Sequence, residues 1–363
     1  VAGGFFGIAE RTRCMSNASI LSIATAAPEH VLEQADVARR AQRLFGERLG
    51  VWDRVAGVFR SSGIRTRRSV RPADWFETPR GWPERTAAYL EGAGDLFRRA
   101  AQQALDDAGL KAADIDTIVT ISSTGIATPS LEARVAGEMG FRANVRRVPV
   151  FGLGCAGGVA GLALASRLAR AEPGSNVLFV AVEICTLSFR LDELSKANVV
   201  ATALFGDGAA ACVLSTRESG LAQVEAAGDH TWPDTLDVMG WNVEPQGFGV
   251  VFARAIPPFV EERLSPAIDE ICAREGIDRA LIDRFVCHPG GAKVIQALET
   301  TLRLPQGTLD IERDVLSEFG NMSAPTVLFV LERMARDALP ERMLMTAMGP
   351  GFTASCVSLK AAA

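Results

Sequence analysis

The chain has 363 residues, of which 48% are hydrophobic and 22% charged, with a net charge of -5. This globular, slightly acidic composition excludes wholesale disorder and collagen-like structure, and argues against a nucleic-acid binder with a basic surface. Seven cysteines, an odd and sparse set, fit free thiols in a reducing, cytoplasmic setting better than a disulfide scaffold.

Residues 1–14 precede Met15 and are expected to form a non-core extension. Their apolar run, residues 5–8, is too short for a signal peptide and is followed by Glu10, Arg11 and Arg13. Residues 20–24 read as a strand, 34–49 as a helix and 85–108 as a helix closed by Gly109. A buried strand follows at 115–122, a helix at 131–140, a strand at 146–151, an apolar helix at 159–171 and a strand at 176–183. Strands are expected at 209–214, 221–227 and 284–288, with a helix at 258–275 between the last two. Helices at 292–302 and 323–338 and strands at 343–348 and 354–359 complete the chain. Such alternation predicts α/β layering, and no linker separates the halves, so they share one body. No stretch of about 18 apolar residues exists, so no membrane span is expected.

Three polar islands interrupt the apolar runs. The first, GLGCAGG at 152–158, follows a strand and opens a helix. It has three readings: a dinucleotide fingerprint with Glu183 on the next strand, a nucleophile turn presenting Cys155 at a helix N-terminus, or a structural Cys in a Gly-rich turn. The second, CHPGG at 287–291, ends a strand with His288, which reads either as a satisfied core histidine or, with the tight turn after it, as a residue at the mouth of an α/β active site. Adjacent Cys287 and His288 point to opposite faces and no zinc-like spacing occurs, so no metal is expected. The third, GNMSAPT at 320–326, places Asn321 as a helix cap or as an amide donor to an oxyanion. A Cys, a His and an Asn on glycine-bearing turns are together the equipment of a thiolate enzyme. Of the three histidines, His30 and His230 are expected in loops without a partner motif.

GLGCAGG, LFGDGAAA, CHPGG, GNMSAPTV and GPGFT, in this order, resemble the type III polyketide synthases, the chalcone-synthase-like group of the thiolase superfamily. The resemblance runs from about residue 20 to residue 359. It implies a thiolase fold of two similar α/β halves, 15–214 and 215–363, each with a mixed central sheet, in αβαβα layers. It also implies a homodimer acting on acyl-CoA and malonyl-CoA without a cofactor. Cys155 would take the starter as a thioester, aided toward thiolate by the helix N-terminus and His288. His288 and Asn321 would hold the malonyl thioester carbonyl.

By the same resemblance Phe205 is the gatekeeper aromatic, Val250 stands where a second aromatic is usual, and Gly349, Pro350 and Gly351 shape the cavity floor. Ser123, Thr128, Cys185, Ser188 and Trp241 fall at pocket positions. The Cys at 185 and the stretch around Trp241 resemble the bacterial alkylresorcinol and alkylpyrone synthases, which use long fatty acyl starters. Arg54, Arg60 and Arg65 would meet the coenzyme A phosphates, and Asp207 is expected to be structural. Two alternatives stand: a β-ketoacyl carrier-protein synthase III, with one condensation, and an NAD(P)-binding oxidoreductase, which leaves HPGG and GNMSAP unexplained.

Overall fold

The computed structural model describes residues 17–253 and 255–362. The first half forms β1 (Ala18–Ala26), β2 (His30–Glu33), α1 (Gln34–Phe45), the short α2 (Trp52–Val55) and α3 (Gly57–Ser61), β3 (Thr66–Ser69) and α4 (Trp82–Asp107). It continues with β4 (Thr117–Ile121), α5 (Leu131–Met139), β5 (Arg146–Val150), α6 (Gly157–Ala171), β6 (Asn176–Ile184), α7 (Lys196–Leu204) and β7 (Asp207–Ser215). The second half forms β8 (Ala222–Thr231), β9 (Met239–Glu244), β10 (Gly247–Phe252), α8 (Ile256–Glu275), β11 (Arg284–Cys287), α9 (Ala292–Leu302), α10 (Asp310–Phe319), α11 (Thr326–Ala335), β12 (Arg342–Gly349) and β13 (Thr353–Ala361).

Every segment expected as a strand or helix forms one in place. The extension at 1–14 lies outside the described residues. The pairs β2–β3 and β9–β10 and the helices α7 and α10 were not expected. His30 and His230 also sit in strands rather than loops. His30 pairs with Ser69, and His230 pairs with Ala354 while its Nδ1 lies 3.0 Å from a Glu270 carboxylate oxygen.

Nine strands make one mixed sheet in the order β11-β12-β13-β8-β1-β7-β6-β4-β5. The first half supplies β1, β7, β6, β4 and β5, and the second β8, β13, β12 and β11. The halves join where β1 pairs antiparallel with β8. Alternation along β6 shows how the layers form. Val177, Phe179 and Ala181 pack toward α6 and α11, while Leu178, Val180 and Val182 pack toward α4. A strand buried on both faces is a continuous apolar run, which is why 177–182 carries no polar residue.

Helix α6 touches β4 and β6 of the first half and β12 and β13 of the second, and α11 packs beside it against β1 and β11. Helix α4 covers the outer face of the first half, and α8 with α9 that of the second. The result is the αβαβα layering. The turn between β5 and α6 and the turn between α10 and α11 come together because α6 and α11 pack on each other. Among the described residues no helix is long and apolar enough to cross a membrane.

Candidate active site

Cys155 lies in a 3-10 turn, Gly154–Ala156, that runs directly into α6. The turn is braced from below. The Ser123 hydroxyl accepts the N–H groups of Gly152 and Gly154 at 3.0 and 3.2 Å. Gly158 is required by close approach, because a Cβ there would sit 2.2 Å from the Ala324 carbonyl oxygen. Gly154 and Gly157 lie instead against the side chains of Pro350 and Ile121. Glu183, read as a possible ribose ligand, is fully buried and accepts the Ser123 N–H and the Thr124 hydroxyl. With Glu183 committed to these internal donors, the dinucleotide reading loses its ribose ligand.

Asn321 stands on the turn before α11. Its backbone N–H donates to the Leu204 carbonyl and its carbonyl accepts the Gly206 N–H, a single bridge that ties this turn to Phe205. The side-chain Oδ1 accepts the Ser323 N–H at 2.8 Å, which fixes the amide orientation. Nδ2 donates to the Gly290 carbonyl at 3.2 Å, leaving its second N–H to offer. The Cys155 Sγ lies 4.0 Å from Asn321 Oδ1.

His288 follows β11 and is held by its backbone N–H donating to the Thr346 carbonyl. It is 6% exposed, and neither ring nitrogen has a hydrogen-bond partner among the described residues. A Cβ on Gly290 would lie 3.7 Å from its Nε2, so His288 and the Asn321 amide meet around Gly290.

Burial decides the ionisation here. It pushes the Cys155 thiol up to about 11, with the nearby Glu183 charge adding to it against hydrogen bonds with Ser323 and Asn321. It brings His288 down to about 4. Desolvation therefore works against the thiolate that the helix N-terminus and His288 would favour. Burial also pushes Glu183 up to about 8.

Other expected residues divide. Phe205 packs edge-on against Trp241 at 6.0 Å, and Trp241 stacks on Phe248 at 5.9 Å. Val250 pairs directly opposite Trp241 across β9 and β10, so both stand on one face of that hairpin. Cys185 and Ser188, on a 3-10 turn after β6, line an apolar cavity of about 60 Å³ together with Phe205. Pro350 packs on Gly154, and Gly349 lies against Leu153 and Ala156, so the 349–351 turn borders the Cys155 turn.

Two pocket expectations are corrected. Ser123 is spent on backbone N–H groups and offers no surface to a guest. Thr128 is exposed on the loop between β4 and α5 and does not line the cavity shared by Cys185, Ser188 and Phe205. Asp207 is structural as expected: it is fully buried and accepts the N–H groups of Val70 and Thr186 and the Thr186 hydroxyl.

A cleft of about 920 Å³ opens beside Gly290 and Gly291. Arg54 and Arg60 line it, joined by Lys196 and Lys293, with no carboxylate among its described lining residues. Arg65 is not part of it. That side chain is exposed beyond α3, where the chain turns into β3. Lys293 follows the His288 turn closely and could have been noticed there, whereas Lys196 carried no signal. Among the described residues no group of His, Cys, Asp or Glu could hold a metal ion.

The sequence profile of chalcone and stilbene synthases matches with its N-terminal domain at residues 82–217 and its C-terminal domain at 223–362. A 1,3,6,8-tetrahydroxynaphthalene synthase of Streptomyces peucetius subsp. caesius is 39% identical, over 94% of this chain and 93% of that protein. The alpha-pyrone synthesis polyketide synthase-like Pks18 of Mycobacterium tuberculosis is 30% identical, over 93% of this chain and 89% of that one. The crystal structure of 1,3,6,8-tetrahydroxynaphthalene synthase from Streptomyces coelicolor A3(2), a bacterial type III polyketide synthase, superposes with a TM-score of 0.90 at 31% identity, covering 95% of this chain and 99% of that one.

Proposed function

This chain belongs to the chalcone and stilbene synthase family, the type III polyketide synthases, and on that premise we propose that Cys155, His288 and Asn321 extend a fatty acyl starter with malonyl-CoA. As a member of the family it is an acyltransferase that catalyses decarboxylative condensation of coenzyme A thioesters. The reading of the site rests above all on three buried side chains brought together: Cys155 Sγ lies 4.0 Å from Asn321, whose amide bonds Gly290 beside the His288 ring.

In the first step the Cys155 sulfur attacks the starter's thioester carbonyl. His288 takes the thiol proton and passes it to the departing coenzyme A sulfur. The proton moves only as the acyl group arrives, because burial favours the neutral form of both partners beforehand. In the second step malonyl-CoA places its thioester oxygen between His288 and the free Asn321 N–H. Carbon dioxide leaves, and the electron pair is held as an enolate. A donor aimed at such an oxygen is worth about 3–4 kcal/mol in the transition state. The enolate carbon then attacks the acyl-Cys155 thioester and releases the sulfur. The loss of carbon dioxide drives each round, so no resident cofactor enters.

The cationic cleft suits the phosphates of coenzyme A, with Arg54, Arg60, Lys196 and Lys293 as their contacts. The apolar cavity beside Cys185, Ser188 and Phe205 suits an alkyl tail, which supports a long-chain starter and an alkylresorcinol, alkylresorcylic acid or alkylpyrone product. The relative named for alpha-pyrone synthesis agrees with that product class. A second reading is favoured by the relatives named for 1,3,6,8-tetrahydroxynaphthalene: priming by malonyl-CoA itself and closure to fused rings. A homodimer fits β5, an edge strand with an exposed face, beside the half-exposed Phe151 and Ile126.

Incubation with malonyl-CoA and starters from acetyl-CoA to long-chain acyl-CoA, read by mass spectrometry, tests the starter. Products that carry the long tail are expected. A single tetrahydroxynaphthalene product whatever starter is added would favour the second reading. Sedimentation at micromolar concentration tests the dimer.

A further inference from the structure

A reacting imidazole is usually oriented by a hydrogen bond to its second nitrogen. Neither ring nitrogen of His288 has such a bond among the described residues, so the ring stands where its backbone puts it. That backbone continues β11, the outermost strand of the sheet, which pairs on one side only, with β12. The His288 N–H turns to that side and donates to the Thr346 carbonyl at 2.9 Å. Successive residues of a strand present their N–H and C=O groups to opposite sides, so the Cys287 N–H and the Phe285 carbonyl face away from β12. Buried as they are, these groups need partners from outside the sheet. An ion pair supplies them. Glu312, on α10, accepts the Cys287 N–H at 3.1 Å with one oxygen and bonds Arg284 at 2.6 Å with the other. Arg284 also donates to the Phe285 carbonyl. The Glu312 side chain is fully buried and that of Arg284 is 11% exposed. An apolar pair of the same volume would often be as stable at such a place.

We propose that Glu312 is a positioning residue for His288: its carboxylate, balanced by Arg284, holds the Cys287 backbone and so fixes where the imidazole stands against the Asn321 amide. The inference rests on the role given to His288 above. Thr346 and Glu312 grip two consecutive N–H groups from opposite sides. With one grip lost, the strand end turns and carries the ring with it. Asn321 follows the far end of α10, so the same carboxylate also ties the two segments that bear the enolate-binding side chains.

The test measures malonyl-CoA decarboxylation. Arg284→Met with Glu312→Met removes both charges together and leaves the Cys287 N–H without an acceptor. This pair is expected to lower kcat about tenfold with KM within about twofold, since a displacement of about 1 Å can cost up to about 100-fold. Arg284→Met with Glu312→Gln returns an acceptor oxygen and should recover most of the loss. Placed on His288→Ala, the Met pair should cost less than about twofold, because no ring is left to position. Glu312→Asp, which keeps the charge but draws the carboxylate back, makes the same cycle if the Met pair does not fold. Where His288→Ala itself is slow, three results would overturn the positioning role and leave the site reading standing. They are an unchanged kcat in the Met pair, an equal loss with and without His288, and a Gln variant no faster than the Met pair. A His288→Ala protein that decarboxylates like the wild type overturns the site reading, and the positioning role with it.

Discussion

Strands β1, β7, β6 and β4 of the first half and β8, β13, β12 and β11 of the second follow one another in the same order and the same senses, yet only the first half adds β5. The second half instead inserts the β9–β10 hairpin between β8 and α8. Within this repeat, matching positions carry different chemistry. The turn before α6 presents Cys155, and the turn before α11 presents Asn321. These two side chains meet at 4.0 Å because α6 and α11 pack side by side. The end of β4 leads to Ser123, which braces the Cys155 turn, while the end of β11 leads to His288, which faces the pocket. Duplication supplies two strand ends and two helix starts at one centre. The side chains at those places divide the proposed work, with covalent loading in the first half and enolate binding in the second.

That division can be broken by mutation. Cys155→Ala is expected to lower condensation at least about 10⁴-fold and to abolish the acyl-enzyme seen by mass spectrometry. Label that persists on the protein would end the assignment. Next in size, His288→Ala or Asn321→Ala should lower malonyl-CoA decarboxylation by about 10²- to 10³-fold. For Asn321→Ala, the acyl-Cys155 burst should fall far less than carbon dioxide release. Equal losses in both would deny that the halves act separately.

The pH dependence sharpens the same contrast. With the thiol raised by burial, alkylation of Cys155 by iodoacetamide should climb about tenfold per unit from about pH 6 to pH 9. A plateau reached by about pH 7 would mean a resting thiolate–imidazolium pair across the two halves. Gly349→Ala probes their mechanical contact. Its Cβ would lie 2.4 Å from the Leu153 carbonyl oxygen, and a stability loss of about 1–3 kcal/mol in urea denaturation is expected.

A second pH effect concerns Glu183. Its carboxyl is raised from 4.5 to about 8 by burial, so the folded state binds the proton more tightly than the unfolded chain. The stability it contributes is present below pH 4.5 and is lost as pH rises toward about 8. Glu183→Gln should therefore gain on the wild type as pH rises across that window. A pH-independent difference in melting would refute this.

The sheet strands and the long helices were legible because they carry strong apolar periods, and the Cys, His and Asn turns because glycine marks them. The β9–β10 hairpin was not, since it stands apart from the main sheet with half-exposed faces and so has no clean alternation. Helix α10 has an amphipathic stripe that buries Glu312, Val315 and Leu316, and its charged composition hid it. Arg65, Ser123 and Thr128 went astray for another reason. A position along the chain does not say where a side chain points.

The sequence by itself determined the layered α/β class, the kinds of reacting group and the turns that carry them, because periodicity and glycine placement are local properties. Tertiary structure alone decided which cations share the cleft, that Ser123 faces backbone N–H groups, and that burial raises the Cys155 thiol and lowers the His288 imidazole. These outcomes depend on burial and on distances between segments far apart in the chain.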